Sequence, residues 1–203
     1  MPRTSKTPSP AATVLFFDTE TTGIPRRYDA PLTDLRNWPR LVQIAWVLCD
    51  QTGQVLQERD AIIRPEGFGI PEDAIRIHGI TTERALAEGV ELRAVLGDFA
   101  AAVEIAGVVV AHNMSFDESI VGAEFIRTGI VHRLHASRRV CTKEASTSFC
   151  RILGRGGRYK WPTLDELHRR LFGRPHSGSH SATGDVNACA RCFFELRRLG
   201  VIR

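Results

Sequence analysis

The chain has 203 residues, a length that fits one domain of ordinary size. With 43% apolar and 25% charged residues it can bury a substantial core, which excludes a chain that is disordered throughout. The formal net charge of +4 is a mild basic excess, and it gains meaning only where basic residues lie beside an acidic site. No run of about 18 apolar residues is present, so the composition predicts no membrane span.

The cysteines indicate the redox environment. There are five, they are loosely spaced, and the start of the chain does not resemble a secretory leader. An odd count of this kind is typical of free thiols rather than of a disulfide framework. We therefore expect a cytoplasmic protein with free thiols at Cys49, Cys141, Cys150, Cys189 and Cys192.

In chain order, residues 1–12 hold three prolines and several small polar residues, which predicts a disordered tail ahead of one domain over 13–203. Short apolar runs predict strands over residues 14–17, 41–49, 54–63, 108–111 and around Val140. Apolar residues at helical spacing predict helices over residues 91–105, 115–128, 142–149, 163–172 and 182–199. Strands that come first and then alternate with helices indicate one α/β unit.

Four acidic residues carry the functional argument. Asp18 and Glu20 end the first strand, and side chains two apart on a strand point the same way, so both carboxylates reach one point. Asp117 follows the fourth strand in the first turns of a helix, and Asp185 begins the last helix. Carboxylates are rarely buried without a partner, so four that converge need divalent cations between them. Oxygen-rich sites suit Mg²⁺ or Mn²⁺, and the pattern predicts two-metal phosphodiester hydrolysis.

His180 supplies the remaining chemistry of the predicted site. It precedes Asp185 by five residues and follows a polar, glycine-containing segment, so we expect it to move over the acids. A neutral imidazole there can accept a proton from an attacking water. Taken singly, each feature has a simpler interpretation: a solvated strand end, an acid that complements a helix dipole, or an exposed loop histidine.

Three blocks together resemble the DnaQ-like exonucleases of the DEDDh type, the family that includes the proofreading subunit of bacterial DNA polymerase III. They are residues 18–23 (DTETTG), 112–117 (HNMSFD) and 180–185 (HSATGD), which look like its three exonuclease motifs in the same order. Residues 77–81 (IHGIT) are similar to a further loop of the family near the substrate. Ser181 stands where the tyrosine branch of the superfamily has Tyr, which favours the histidine branch.

The resemblance implies a ribonuclease H-like α/β fold, with a mixed central sheet of about five strands flanked by helices. It implies 3′–5′ hydrolysis of DNA or RNA, with two Mg²⁺ or Mn²⁺ ions as cofactors and nucleoside 5′-monophosphates as products. Asp18, Glu20, Asp117 and Asp185 would bind the metals and His180 would be the general base. The predicted substrate-binding residues are Thr21, Thr22, Gly23, His78 and Asn113.

The expected substrate is a single-stranded or frayed 3′ end, because bases must separate for a terminus to enter such a site. Arg151, Arg155, Arg158 and Lys160 form either a phosphate-tracking loop or a solvated charged loop. Trp161 is either a base-stacking residue or a packing residue. A homodimer or a polymerase partner is a further expectation.

Two alternatives remain open at this stage. The spacings of His176 with His180 and of Cys189 with Cys192 resemble those of zinc ligands, although both cysteines fall in an apolar helix. A non-catalytic nucleic-acid-binding or polymerase-accessory module is the alternative from another class. Clustered negative charge speaks against it, because binding alone gains nothing from acids beside phosphates.

Overall fold

The computed structural model describes residues 13–177 and 181–202. Within these residues, a five-stranded mixed sheet has the strand order β3-β2-β1-β4-β5. The strands are β1 (Thr13–Thr21), β2 (Leu41–Asp50), β3 (Val55–Ile62), β4 (Val108–Ala111) and β5 (Arg139–Cys141). The predicted mixed sheet of about five strands is therefore confirmed, and β1 extends beyond the predicted strand to include the acids.

The sheet joins an antiparallel half to a parallel half. β1, β2 and β3 pair antiparallel, and the β2–β3 turn is closed by Asp50, whose carboxylate accepts from the backbone N–H groups of Thr52 and Gln54 at 2.8 and 3.0 Å. β4 pairs parallel with β1, and β5 pairs parallel with β4. β1 is therefore central, and its carboxyl end lies between two neighbouring strands.

Eight α-helices occur in the described part of the chain. They are α1 (Glu72–His78), α2 (Thr82–Glu88), α3 (Leu92–Glu104), α4 (Met114–Thr128), α5 (Thr142–Ala145), α6 (Thr147–Cys150), α7 (Leu164–Phe172) and α8 (Ala182–Arg198). α7 begins with a capping box, in which Thr163 accepts from the Glu166 N–H and the Glu166 carboxylate accepts from the Thr163 N–H. These bonds satisfy two N–H groups that a helix start leaves unpaired.

The two faces of the sheet bury separate cores. The odd-numbered apolar residues of β1 pack with α3 and α4, and the even-numbered ones pack with α7 and α8. Because side chains alternate along a strand, Asp18 and Glu20 continue the face that α8 covers, and Thr19 continues the face that α4 covers. At the end of β1, Asp18 and Glu20 therefore face α8, and Thr19 faces α4.

A buried ion pair anchors α4 to the start of β2. Glu124 is completely buried, and its Oε1 accepts hydrogen bonds from Nε of Arg40 at 2.8 Å and from the backbone N–H of Leu41 at 3.0 Å. Arg127, one turn further along α4, lies 3.2 Å from the same oxygen. Two guanidinium groups therefore compensate a carboxylate that burial alone would destabilise.

Two local elements differ from the sequence-based predictions. The single helix predicted over residues 142–149 is interrupted at Ser146, whose hydroxyl donates to the carbonyl of Thr142 at 2.7 Å. A bond of this kind competes with regular helical bonding. α1 is absent from the predicted elements, and it ends at Gly79 with φ of 73°. Its seven residues are too few to show a helical apolar period.

Candidate active site

Three carboxylates meet at the carboxyl end of β1. Asp18 and Glu20 come from β1, and Asp185 comes from the first turn of α8. One oxygen of each lies within 4.8 Å of the others, which is close enough for a shared metal ion. The two-residue spacing on the strand accounts for the way Asp18 and Glu20 reach the same point.

Asp117 approaches from the other face of the sheet and is held by Thr19. It lies in the first turn of α4, where its Oδ1 accepts from the Thr19 hydroxyl at 2.7 Å and from the Thr19 N–H at 3.1 Å. It is buried and is not one of the three acids whose oxygens cluster. The structure therefore gathers all four predicted acids around one end of β1, with three clustered and one bonded to the strand.

Burial gives these acids unusual proton affinities. Burial, followed by the charges of Asp117, Asp185 and Glu20, raises the pKa of Asp18 well above its ordinary range. Burial also raises the pKa of Glu20 to about 7, with Asp185 and Asp117 adding to the effect. For Asp117, burial raises the pKa to about 7 against hydrogen bonds from Thr19. A cation would restore the ionised forms, so this oxygen donor set fits Mg²⁺ or Mn²⁺.

A histidine that sequence reasoning did not assign to the site lies beside the acids. Nε2 of His176 is 2.5 Å from Oδ1 of Asp185, and Nδ1 of His176 is 2.6 Å from Oδ1 of Asp165 in α7. The ring is buried between the two carboxylates, which fix its orientation. The signal in the sequence was its four-residue spacing to His180. His180 itself lies outside the described residues.

Asp18 and Asp185, together with Asp165 and His176, line a cleft of about 730 Å³. The remaining wall includes His112, Asn113, Lys143, Trp161, Pro162 and Thr163. The His112 ring lies 2.9 Å from the Thr142 hydroxyl and 3.1 Å from the Pro162 carbonyl. Burial lowers the pKa of His112 to about 4, so the ring is neutral at pH 7 and forms a fixed part of the wall.

Asn113 has an uncommon backbone conformation at the junction of β4 and α4. Its φ of 105° lies in the left-handed region, which non-glycine residues seldom adopt. It occupies the N-cap position of α4, yet its side chain makes no capping bond and instead accepts from Nζ of Lys143. Such conformations concentrate at functional sites, and this one turns the Asn113 amide toward Lys143.

Comparison with known proteins identifies the family. Residues 15–193 match the family model for exonucleases of the RNase T type. The chain belongs to this exonuclease family. The match confirms the family resemblance that the three sequence blocks indicated. A search of curated protein sequences returns no significant match.

Solved structures of E. coli exonuclease I have the same fold as this chain. The complex with a dA16 oligonucleotide has a TM-score of 0.74 at 20% identity, over 92% of this chain and 41% of that chain. The complex with a dT13 oligonucleotide has a TM-score of 0.72 at 20% identity, over 93% and 42%. The zinc-bound ssDNA complex has a TM-score of 0.73 at 21% identity, over 92% and 41%. The exonuclease chain spans less than half the length of these proteins.

Part of the turn after β1 makes hydrogen bonds within the chain. The Thr21 hydroxyl donates to the carbonyl of Gly23 at 2.6 Å. The Thr22 N–H donates to the Arg40 carbonyl and its hydroxyl accepts from the Arg40 N–H, both at 2.9 Å. Thr22 is a predicted substrate-binding residue, but its backbone N–H is not free for a substrate, because it is bonded to Arg40 just beyond the last β1–β2 residue pair. Gly23, with φ of 144°, is open to its surroundings.

His78 lies beside this turn, at the end of α1. Burial lowers the pKa of His78, and a hydrogen bond with the Thr21 backbone opposes that shift. Nδ1 of His78 accepts from the Ile80 N–H at 3.1 Å. The contacts with Thr21 and Ile80 orient the ring next to the Thr21–Gly23 turn, so two of the predicted substrate-binding segments of the exonuclease are adjacent.

The cysteines and helices bear on two remaining expectations. All five cysteines are free thiols, as predicted. Cys189 and Cys192 are residues of α8 that are buried in the apolar core, and the acid cluster of the described residues contains no cysteine. This packing disfavours the zinc alternative. None of the described helices has the length and apolar character needed to cross a membrane.

Proposed function

We propose that this chain is a metal-dependent 3′–5′ exonuclease that hydrolyses the 3′-terminal phosphodiester bond of DNA or RNA and releases nucleoside 5′-monophosphates. The cluster of Asp18, Glu20 and Asp185 within 4.8 Å carries the proposal. The substrate is a single-stranded or frayed 3′ end. E. coli exonuclease I, whose fold the chain shares, is described in complex with single-stranded oligonucleotides, and this supports the choice of substrate.

Two Mg²⁺ or Mn²⁺ ions would be held by the predicted acids, Asp18, Glu20, Asp117 and Asp185. Such a pair, when bound, activates the attacking water and stabilises the leaving 3′-oxygen. The raised pKa values of Glu20 and Asp117, both about 7 because of burial, favour this assignment. Acids of this kind gain most from a cation that compensates their charge.

The two histidines have different proposed roles. His180 accepts the proton of the attacking water as the general base. His176, held by Asp165, orients the carboxylate of Asp185 through its 2.5 Å contact. A partner that orients a metal ligand typically changes metal affinity more than it changes the chemical step. The Thr21–Gly23 turn, His78 and Asn113 would position the terminal nucleotide.

The decisive experiment is digestion of 5′-labelled single-stranded DNA and RNA of one sequence, with Mg²⁺, with Mn²⁺ and with EDTA. We expect a ladder that shortens from the 3′ end with either metal and no cleavage in EDTA. His180→Ala should lower the rate by about 10²–10⁴-fold at saturating metal. Absence of cleavage of either strand with both metals would overturn the proposal.

His176→Ala is the matched histidine variant for this experiment. We expect it to raise the Mg²⁺ concentration needed for half-maximal activity by about 10–100-fold and to recover most of its rate at saturating Mg²⁺. If instead His176→Ala loses about 10²–10⁴-fold in rate at saturating metal while His180→Ala keeps the wild-type rate, His176 rather than His180 is the general base.

A further inference from the structure

The cleft lined by Asp18 and Asp185 contains one lysine and no arginine among its described lining residues, and this lysine is Lys143. Its Nζ donates to Oδ1 of Asn113 and lies 4.6 Å from the centroid of the Trp161 ring. Within the described chain, Lys143 makes no ion pair with a carboxylate, although Asp18, Asp165 and Asp185 line the same cleft. The ammonium group is therefore bound by a neutral amide and an aromatic face.

The two groups that hold Lys143 are themselves fixed. Asn113 is fixed by the junction of β4 and α4, where its backbone is left-handed. Trp161 precedes Pro162, which restricts its backbone, and the Pro162 carbonyl contacts His112. The Trp161 side chain is 60% exposed, so this large aromatic group borders the cleft instead of filling a core. Lys143 is thus positioned by the fold and is not a freely moving surface lysine.

Lys143 lies within electrostatic range of the acids. Burial raises the pKa of Asp117 and lowers the pKa of His112. The charge of Lys143 lowers both pKa values, so Lys143 is close enough to act on both groups. An ammonium group has three N–H donors, and the bond to Asn113 uses one of them. The remaining donors are available to an anion that enters the cleft beside the carboxylates.

We propose that Lys143, seated between Asn113 and Trp161, binds a phosphate of the substrate strand next to the scissile linkage. This subsite rests on the proposed exonuclease function and deepens it. Lys143 attracts the nucleic-acid strand into a cleft whose acids repel it. Because Asn113 and Trp161 are neutral, they leave the charge of Lys143 uncompensated until the strand binds. The exposed side chain of Trp161 lines the same cleft and restricts the positions that this phosphate can occupy beside Lys143.

The salt dependence of strand binding tests the subsite. Affinity for a 5′-fluorescein-labelled oligothymidylate is measured by anisotropy in EDTA over a range of KCl concentrations. Lys143→Gln should make the negative slope of log affinity against log salt shallower by about 0.7, the value for one phosphate contact on a single strand. Lys143→Arg should restore the slope, because it keeps the charge.

Lys160→Gln is the matched control. It removes the same charge next to Trp161, but Nζ of Lys160 is bound to the Glu166 carboxylate at 2.6 and 2.9 Å. We expect its salt slope to equal that of the wild type. During digestion with Mg²⁺, Lys143→Gln should raise KM about tenfold, as expected for the loss of one charge-assisted hydrogen bond, and leave kcat nearly unchanged.

Oligothymidylates with one neutral methylphosphonate linkage at successive positions from the 3′ end locate the phosphate. Wild-type protein should lose affinity at one linkage near the scissile bond, and Lys143→Gln should lose nothing further at that linkage. The subsite is overturned if Lys143→Gln keeps the wild-type slope and methylphosphonate profile, or if Lys160→Gln lowers the slope equally.

The outcomes separate this proposal from the proposed function. If the wild type binds the strand but degrades none with Mg²⁺ or Mn²⁺, the exonuclease proposal fails, and the binding measurements still decide the role of Lys143. If the wild type degrades the strand and Lys143→Gln behaves like it, only the subsite fails. If the wild type neither binds the strand in EDTA nor degrades it with Mg²⁺ or Mn²⁺, both proposals fail, and if it only degrades the strand, the KM of Lys143→Gln decides the subsite.

Discussion

Helix α4 carries two buried carboxylates, Glu124 and Asp117, whose surroundings carry opposite charge. Glu124 is bonded to Arg40, to the Leu41 N–H and to Arg127, so cations of the chain compensate its charge. Asp117, on the same helix, is bonded to Thr19 and lies among other acids. The first carboxylate fastens helix to strand. The second is bonded to no arginine of the described chain and adds its charge to those near Asp18 and Glu20, an arrangement that bound metal ions would stabilise.

Asp18→Asn tests this difference between the two carboxylates with the largest expected effect. We expect its exonuclease rate at saturating Mg²⁺ to fall by more than about 10⁴-fold, beyond the typical effect of losing one proton-transfer group. In EDTA at pH 8, its free energy of unfolding should instead rise above that of the wild type, because a buried charge is removed. Initial rates and urea unfolding measure the two quantities.

This pairing of lost activity with gained stability is specific to a site whose acids repel one another. A drop in the stability of metal-free Asp18→Asn would contradict it, since that result would mean that the carboxylate is already compensated within the chain. Circular dichroism before and after unfolding verifies that both proteins begin from the same fold.

Glu124→Gln should have the opposite signature. Loss of one partner from a buried ion pair leaves Arg40 and Arg127 uncompensated, and we expect the free energy of unfolding to fall by about 3–5 kcal/mol. Glu104→Gln is the control, because its pair with Arg133 at 3.4 Å is exposed and should contribute about 0–1 kcal/mol. Urea unfolding at pH 7 compares them, and equal losses in the two variants would refute a special role for the buried pair.

The smallest effect is the pH dependence of the metal-free protein. Burial raises the pKa values of Glu20 and Asp117 to about 7, so between about pH 4 and 7 the folded protein binds more protons than the unfolded chain. Glu20 and Asp117 therefore stabilise the metal-free protein most at low pH within this window, and their contribution should be lost as the pH rises through 7.

Mg²⁺ should reverse this trend, since it binds the ionised carboxylates. We expect the stabilisation by Mg²⁺ to grow from pH 5 to pH 8 in thermal unfolding scans, and Glu20→Gln to flatten the profile in EDTA. Profiles in EDTA that coincide for the wild type and Glu20→Gln would show that burial does not raise the pKa of Glu20.

Local patterns in the sequence were sufficient for much of this molecule. Apolar runs located the five strands, and the two-residue spacing of Asp18 and Glu20 placed both carboxylates on one side of β1. Glycines and capping residues marked the ends of α4 and α7. The short α1 was not predicted because seven residues show no helical period. The interruption at Ser146, whose hydroxyl bonds to the Thr142 carbonyl, does not change the apolar spacing from which the helix was predicted.

The sequence by itself determined the fold class, the family and the set of acids, because strand alternation, helix starts and motif order are local or ordered along the chain. Only the tertiary structure decided which groups meet. Thr19 and Asp117 are 98 residues apart, and Lys143 and Asn113 are 30 apart. His176 reaches Asp165 and Asp185 only because α7 and α8 pack on the same face of the sheet. Such contacts depend on which strands and helices are neighbours, and spacing along the chain does not carry that information.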